Sequence, residues 1–179
     1  MHDKAKTCCF FGHRKIPDKD KIKAVLCDVV ENLILNRGIT TFLFGSNSEF
    51  DDLCHEVVTK LKEKYQHIQR IYVRAEFPYI DEDFKNYLLG SYEDTYHPES
   101  VINAGRAAYP KRNRIMIDSS SFCVVYYDEN YTPQKRKVSK NDLTDYQPKS
   151  GTKIAYEYAT KKGAEIINTS QKIKKAVII

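Results

Sequence analysis

The stretch Thr7-Cys8-Cys9-Phe10-Phe11-Gly12-His13-Arg14 decides the fold class of this chain. Residues suited to a buried strand, Thr7 to Phe11, run straight into a glycine, a histidine and an arginine. Pro17 and a run of charge follow. Such a break is either an ordinary strand-to-helix turn or the rim of an anion-binding site. Asp18 or Asp20 can cap the helix that comes next, which reaches about Asn36. Ile22, Val25, Leu26, Val29, Val30 and Leu33 recur along it at helical spacing, and Gly38 ends it.

The alternation continues outward from there. Thr40 to Phe44 is a short β-rich run. A helix from about Phe50 to Tyr65 carries Leu53, Val57 and Leu61 on one face, and Ile68 to Val73 reads as a third strand. Pro78 to Pro110 is polar and tyrosine-rich. It is expected to hold a helix around Asp81 to Leu89 and a short strand at Ser100 to Asn103. Lys111 to Asp118 reads as a short helix with Ile115 inward, and Phe122 to Tyr127 as a strong strand. Asp128 to Lys149 is a charged insertion without a period, expected to be a mobile loop. Thr152 to Lys162 reads as a helix ended by Gly163, and Ala164 to Ile167 as a last strand. This order predicts an α/β fold with a mostly parallel central sheet and right-handed crossovers. In such sheets ligands bind beyond the carboxyl ends of the strands, near a topological switch point. Gly12, His13 and Arg14, Gly45 and Ser46, and Tyr126 all fall at such ends.

Composition narrows the class. A chain of 179 residues predicts a single domain, 1–179, able to bury a full core. With 41% hydrophobic and 30% charged residues it reads as globular rather than disordered. No apolar run approaches the length of a membrane span. The segment MHDKAKT lacks the apolar core of a signal peptide, so a cytoplasmic location is expected. The cysteines Cys8, Cys9, Cys27, Cys54 and Cys123 form no CxxC pair and read as reduced, mostly buried thiols. No His or Cys falls at ligand spacing, so neither a metal nor a cofactor is expected. The net charge of +5 is mild, which makes nucleic acid an improbable partner.

Four motifs in order resemble the SLOG superfamily, named for Smf/DprA and the "lonely guy" phosphoribohydrolases, and most closely its YpsA-like branch. They are CCFFGHR; FGSNSEFDDLCHE, Phe44 to Glu56; RNRIMIDSSSFCVVYYD, Arg112 to Asp128; and SGTKIAYEYATKKG, Ser150 to Gly163. The resemblance implies a Rossmann-like three-layer sandwich that binds nucleotides or nucleotide-derived ligands. Relatives include enzymes that cleave the base from a nucleoside monophosphate, sensors of nucleotide signals, and proteins that bind single-stranded DNA. The fold alone does not choose among these.

Each motif has a plain structural reading beside the functional one. Gly12 lets a ligand approach closely, and Arg14 offers a planar fork to phosphate. His13 can contact the ligand or hold the rim in shape. The turn at Gly45 and Ser46 opens a helix and is an expected anion nest, although Glu49 replaces the family's glycine and would repel phosphate. Asp51 and Glu56 match acidic positions of the family. They read as ribose contacts or catalytic carboxylates, or as helix caps. Arg112 and Arg114 read as phosphate ligands and Asn113 as a ligand contact, or all three as a basic surface helix. Asp118 reads as a sugar contact or catalytic carboxylate, or as a turn cap. Ser150, Gly151 and Thr152 read as a second phosphate nest, or as a simple helix start with Thr152 as its cap. The phosphoribohydrolases carry a glutamate where this chain has Ile154, which argues against carrying that reaction over. The leading expectation is therefore a cytosolic binding protein or sensor for a nucleotide-derived ligand. An N-glycosidic-bond hydrolase using Asp51, Glu56 or Asp118 is the second reading, and a single-strand binder the third. Homo-oligomerisation through helices is also expected, with the apolar end Ala176 to Ile179 as one candidate contact.

Overall fold

The computed structural model describes residues 2–45, 47–132 and 149–176. Six parallel strands form one sheet: β1 (Thr7–Gly12), β2 (Thr41–Phe44), β3 (Gln69–Val73), β4 (Asp94–Tyr96), β5 (Phe122–Tyr126) and β6 (Glu165–Asn168). Their order across the sheet is β4-β3-β2-β1-β5-β6, parallel throughout. The chain winds outward from β1 in one direction and then returns to its other side. The switch point thus lies between β1 and β5, where Gly12 is in register with Tyr126. This is the α/β Rossmann-like sandwich that the alternation and the motifs predict.

Strand residues alternate between two cores because successive side chains point to opposite faces. Cys8 and Phe10 face one core with Phe42, Phe44 and Val124. It is closed by α1 (Lys19–Arg37) and α2 (Glu49–Lys64), through Ile22, Leu26, Phe50 and Val57 among others. Cys9 and Phe11 face the other core with Leu43, Ile71 and Val125, covered by α4 (Ala108–Asp118) and α5 (Gly151–Lys161). α3 (Glu82–Leu89) lies beside β4 at the edge. All five cysteines are free thiols. No helix among the described residues is long and apolar enough to cross a membrane.

Several elements differ from their sequence reading. Asp18 precedes α1 in a left-handed conformation without a side-chain capping bond, and its carboxylate pairs with Lys21. The segment predicted as a strand at Ser100 to Asn103 forms a 3-10 turn at Glu99–Val101. Val101 there buries into a small cluster with Ala75 and Ala108. The fourth strand is instead Asp94–Tyr96, which the sequence reading did not identify. Ile115 is half-buried against that same small cluster. The sequence reading also missed α6 (Thr169–Ala176), whose Ile173 packs on the first core. Most of the charged insertion, residues 133–148, and the end, 177–179, lie outside the described residues.

Candidate functional site

At the carboxyl end of β1, Gly12 has no room for a side chain. A Cβ there would lie 2.4–2.5 Å from ring atoms of Phe50 and 2.7 Å from its Cβ. The glycine lets α2 cross close over the strand end and so shapes the floor of the site. His13 follows, 1% exposed. Its Nε2 faces the Asp128 backbone, 2.9 Å from the N–H it can accept and 3.2 Å from the carbonyl it can donate to, according to the tautomer. Its Nδ1 is buried with no hydrogen-bond partner. Tyr131 stacks on the ring at 3.8 Å between centroids. Burial pulls the His13 pKa below its ordinary 6.5, against the opposing pull of Asp128. His13 therefore ties the root of the charged insertion to the rim. Arg14 and Lys15 come next, both exposed.

The start of α2 does not present an open anion nest. Ser48 caps the helix, its Oγ accepting the Asp51 N–H at 3.1 Å. The Glu49 N–H donates to the Arg14 carbonyl at 3.0 Å. The Glu49 carboxylate turns back to the β1–α1 loop. It accepts from Lys15 at 2.8 Å and from the Ile16 N–H at 3.1 Å, and Lys19 lies 3.3 Å away. The Lys15 bond, then that of Ile16, holds its carboxyl down at about 2. The residue that departs from the family pattern thus clamps the loop that carries Arg14. Ser46 lies outside the described residues.

Gly45 and Arg112 form a second close fit. A Cβ on Gly45 would meet Arg112 Nη1 at 2.4 Å and the Val73 carbonyl at 2.7 Å. Arg112 is 2% exposed. Its Nη1 donates to the carbonyls of Gly45 and Val73, and its Nε to Asn113 Oδ1 at 2.9 Å. This arginine joins the ends of β2 and β3 while still lining the site. Burial lowers its pKa, and the nearby Asp51 opposes that shift. Asp51 itself is 3% exposed.

The third wall is the start of α5. Ser150 caps it, accepting the Lys153 N–H at 3.1 Å, and its first turn carries no acidic residue. Gly151 has open space where a Cβ would stand.

Between these elements lies a cleft of about 460 Å³ at the switch point. It brings together Gly12, His13, Arg14, Arg112 and Asn113 with Ser150, Gly151 and Thr152. Lys15, Asn47, Ser48, Tyr109 and Tyr131 also line it. Lys15 was legible as the neighbour of Arg14, and Ser48 as a polar residue of the second motif. Tyr131 lay in a stretch without period, and nothing distinguished Tyr109 from the other tyrosines. Its charged lining is cationic among the described residues. The remaining candidates sit elsewhere. Gly45 lies behind Arg112. Tyr126 is buried in the first core, its ring against His13 and Phe50. Glu56 is exposed and paired with Lys23. Asp118 accepts from the Tyr158 hydroxyl at 2.7 Å and lies 3.3 Å from Lys162. The Arg114 guanidinium lies over the Tyr158 ring. Among the described residues no group of three or more His, Cys, Asp or Glu is placed to hold a metal ion.

The fold and the cleft together define an α/β protein with a cation-lined cleft at the switch point of a parallel sheet. A family model for YpsA, described as the YspA SLOG family, matches residues 4–160. The match spans all but the last strand and helix, and the chain belongs to this family. Membership points to nucleotide-related ligand binding or processing. A comparison with curated proteins gives no match.

Proposed function

We propose that the protein is a cytosolic binding protein or sensor that holds a nucleotide or nucleotide-derived phosphate ester in this cleft without cleaving it. The phosphate would sit between the Arg14 guanidinium and the start of α5. Arg14 is exposed, and its side chain has no partner among the described residues. The N–H groups of an α5 first turn free of carboxylates add favourable partial charge. Five free thiols fit a reducing compartment.

The observation that carries this reading is the charge of the lining: cations and neutral polar groups, with no carboxylate among its described residues. Glycosidic cleavage calls for a carboxylate near the anomeric carbon to stabilise developing positive charge or position water. Glu56 and Asp118 face outward in ion pairs. Asp51 is buried beside Arg112 rather than in the lining.

Calorimetric titration with AMP tests the phosphate assignment. Arg14→Ala is expected to weaken binding by about tenfold or more, as loss of a charge-assisted bond does. An unchanged affinity would remove Arg14 from the site.

A further inference from the structure

A smaller cavity, of about 190 Å³, opens beside the cleft at the carboxyl ends of β3 and β4. Tyr109 lines both cavities. Its hydroxyl donates to Glu76, and its ring lies over the Arg112 guanidinium, 5.7 Å from centroid to Cζ. The cleft falls within the roughly 300–1,000 Å³ typical of whole-ligand sites, and the smaller cavity falls below it. It suits one ring system rather than a whole nucleotide.

Its chemistry is the reverse of the cleft's. Ala75, Val101 and Ala108 give it an apolar floor, a cluster separate from the two main cores. The polar groups on its rim include two acceptors. His97 Nδ1 lies 3.1 Å from the Pro98 carbonyl. A carbonyl only accepts, so Nδ1 carries the hydrogen and Nε2 of the neutral ring is left as an acceptor. The Glu76 carboxylate keeps acceptor capacity beyond its bond to Tyr109.

We infer that this cavity is the base subsite of the ligand whose phosphate the cleft holds, and that it selects a nucleobase bearing an exocyclic amine. The inference rests on the nucleotide reading above and names its substrate class. A nucleotide has an anionic end and a flat, mostly apolar end with hydrogen-bonding edges. The two adjoining cavities differ in the same way, with Tyr109 between them at the level of the sugar. An amine on the ring edge donates to His97 Nε2 or Glu76. A ring carbonyl at the same place sets one acceptor against another, His97 Nε2 or the Glu76 carboxylate, and gains no bond.

The test is calorimetric titration of the full chain with AMP, IMP, CMP, UMP and ribose 5-phosphate. AMP against IMP and CMP against UMP compare amine with carbonyl on rings of equal size. At least one amino nucleotide is expected to bind about tenfold tighter than its oxo partner and than ribose 5-phosphate. Ala104→Leu, at a half-buried wall position, is expected to bring that nucleotide down to the level of ribose 5-phosphate, whose own affinity stays unchanged. Glu76→Gln, at an exposed position that tolerates change, is expected to narrow the amine preference. Equal binding of all five ligands would overturn the base subsite and leave the phosphate cleft standing. A preference that survives both variants would place the base elsewhere and overturn it too. No binding of any of the five would overturn the nucleotide reading, and this inference with it.

Discussion

Arg112 has the fork that suits a phosphate, yet much of it serves the protein's own backbone: Nη1 binds the Gly45 and Val73 carbonyls and Nε binds Asn113. Arg112→Met would keep the apolar stem and leave two buried carbonyls unpaired. A loss of about 2–6 kcal/mol is expected from urea denaturation, since each unsatisfied buried group costs about 1–3 kcal/mol. A loss below about 1 kcal/mol would contradict the anchoring role. His13 gives the chain a pH dependence. Burial sets its folded pKa below the ordinary 6.5, and burial does the same to His55. Between the lowered and ordinary values the unfolded chain binds more protons than the folded one. Stability is therefore full above about pH 6.5 and falls as pH drops through the window below it. Denaturation midpoints measured from pH 7.5 down to 5 are expected to show this slope. His13→Gln should make it shallower, with His55 supplying the remainder. At this scale the sequence was legible in residue type and not in partner. The string allows His13 as ligand contact or rim support, and its bond to Asp128 spans 115 positions. Spacing along the chain says nothing about such a bond.

Two helix starts looked alike as strings and differ as structures. The start of α2 is occupied by its own surroundings: Arg14 takes one N–H, Ser48 another, and Glu49 fills the space with a carboxylate. The start of α5 has a serine cap and an open glycine. Gly151→Ala separates fold from ligand. With no atom within 4 Å of the added methyl, stability should hold or rise by about 0.4–1 kcal/mol. AMP affinity should fall, because the methyl enters the space the phosphate would use. A variant that binds normally would move the phosphate away from α5. Long periodic elements were legible for a physical reason: α1 repeats its apolar positions over five turns, and β5 is buried from end to end. β4 has three residues at a half-exposed edge, too few to show a period of two. Val101 and Ile102 favour strands by type, but a satellite cluster captured Val101 in a 3-10 turn.

For the whole molecule, the rule that ligands gather beyond the strand ends located the cleft from the order of strands and helices alone. It brought the ends of β1, β2 and β5 to one edge. The cleft there is lined from β1 and the second motif, while Tyr126 of β5 is buried in the first core. The start of α5 was legible only through the family resemblance. The rule could not say which side of a helix faces that edge. Glu56 follows the helical spacing of α2 to its outer surface, where Lys23 of α1 meets it. Asp118 falls at the far end of α4, against Tyr158 and Lys162. The smaller cavity beside Tyr109 left no motif to read, since its walls come from the segments that follow β3 and β4, two 3-10 turns and the start of α4. The central claim is that the cleft binds a nucleotide and leaves its glycosidic bond intact. A ligand-observed proton NMR time course on the purified chain tests it most directly, with nucleoside monophosphates, NAD and ADP-ribose in the panel. Saturation transfer to at least one ligand is expected, with no new base resonances over hours. Protein-dependent appearance of free base would contradict it and bring Asp51 back as a catalytic carboxylate.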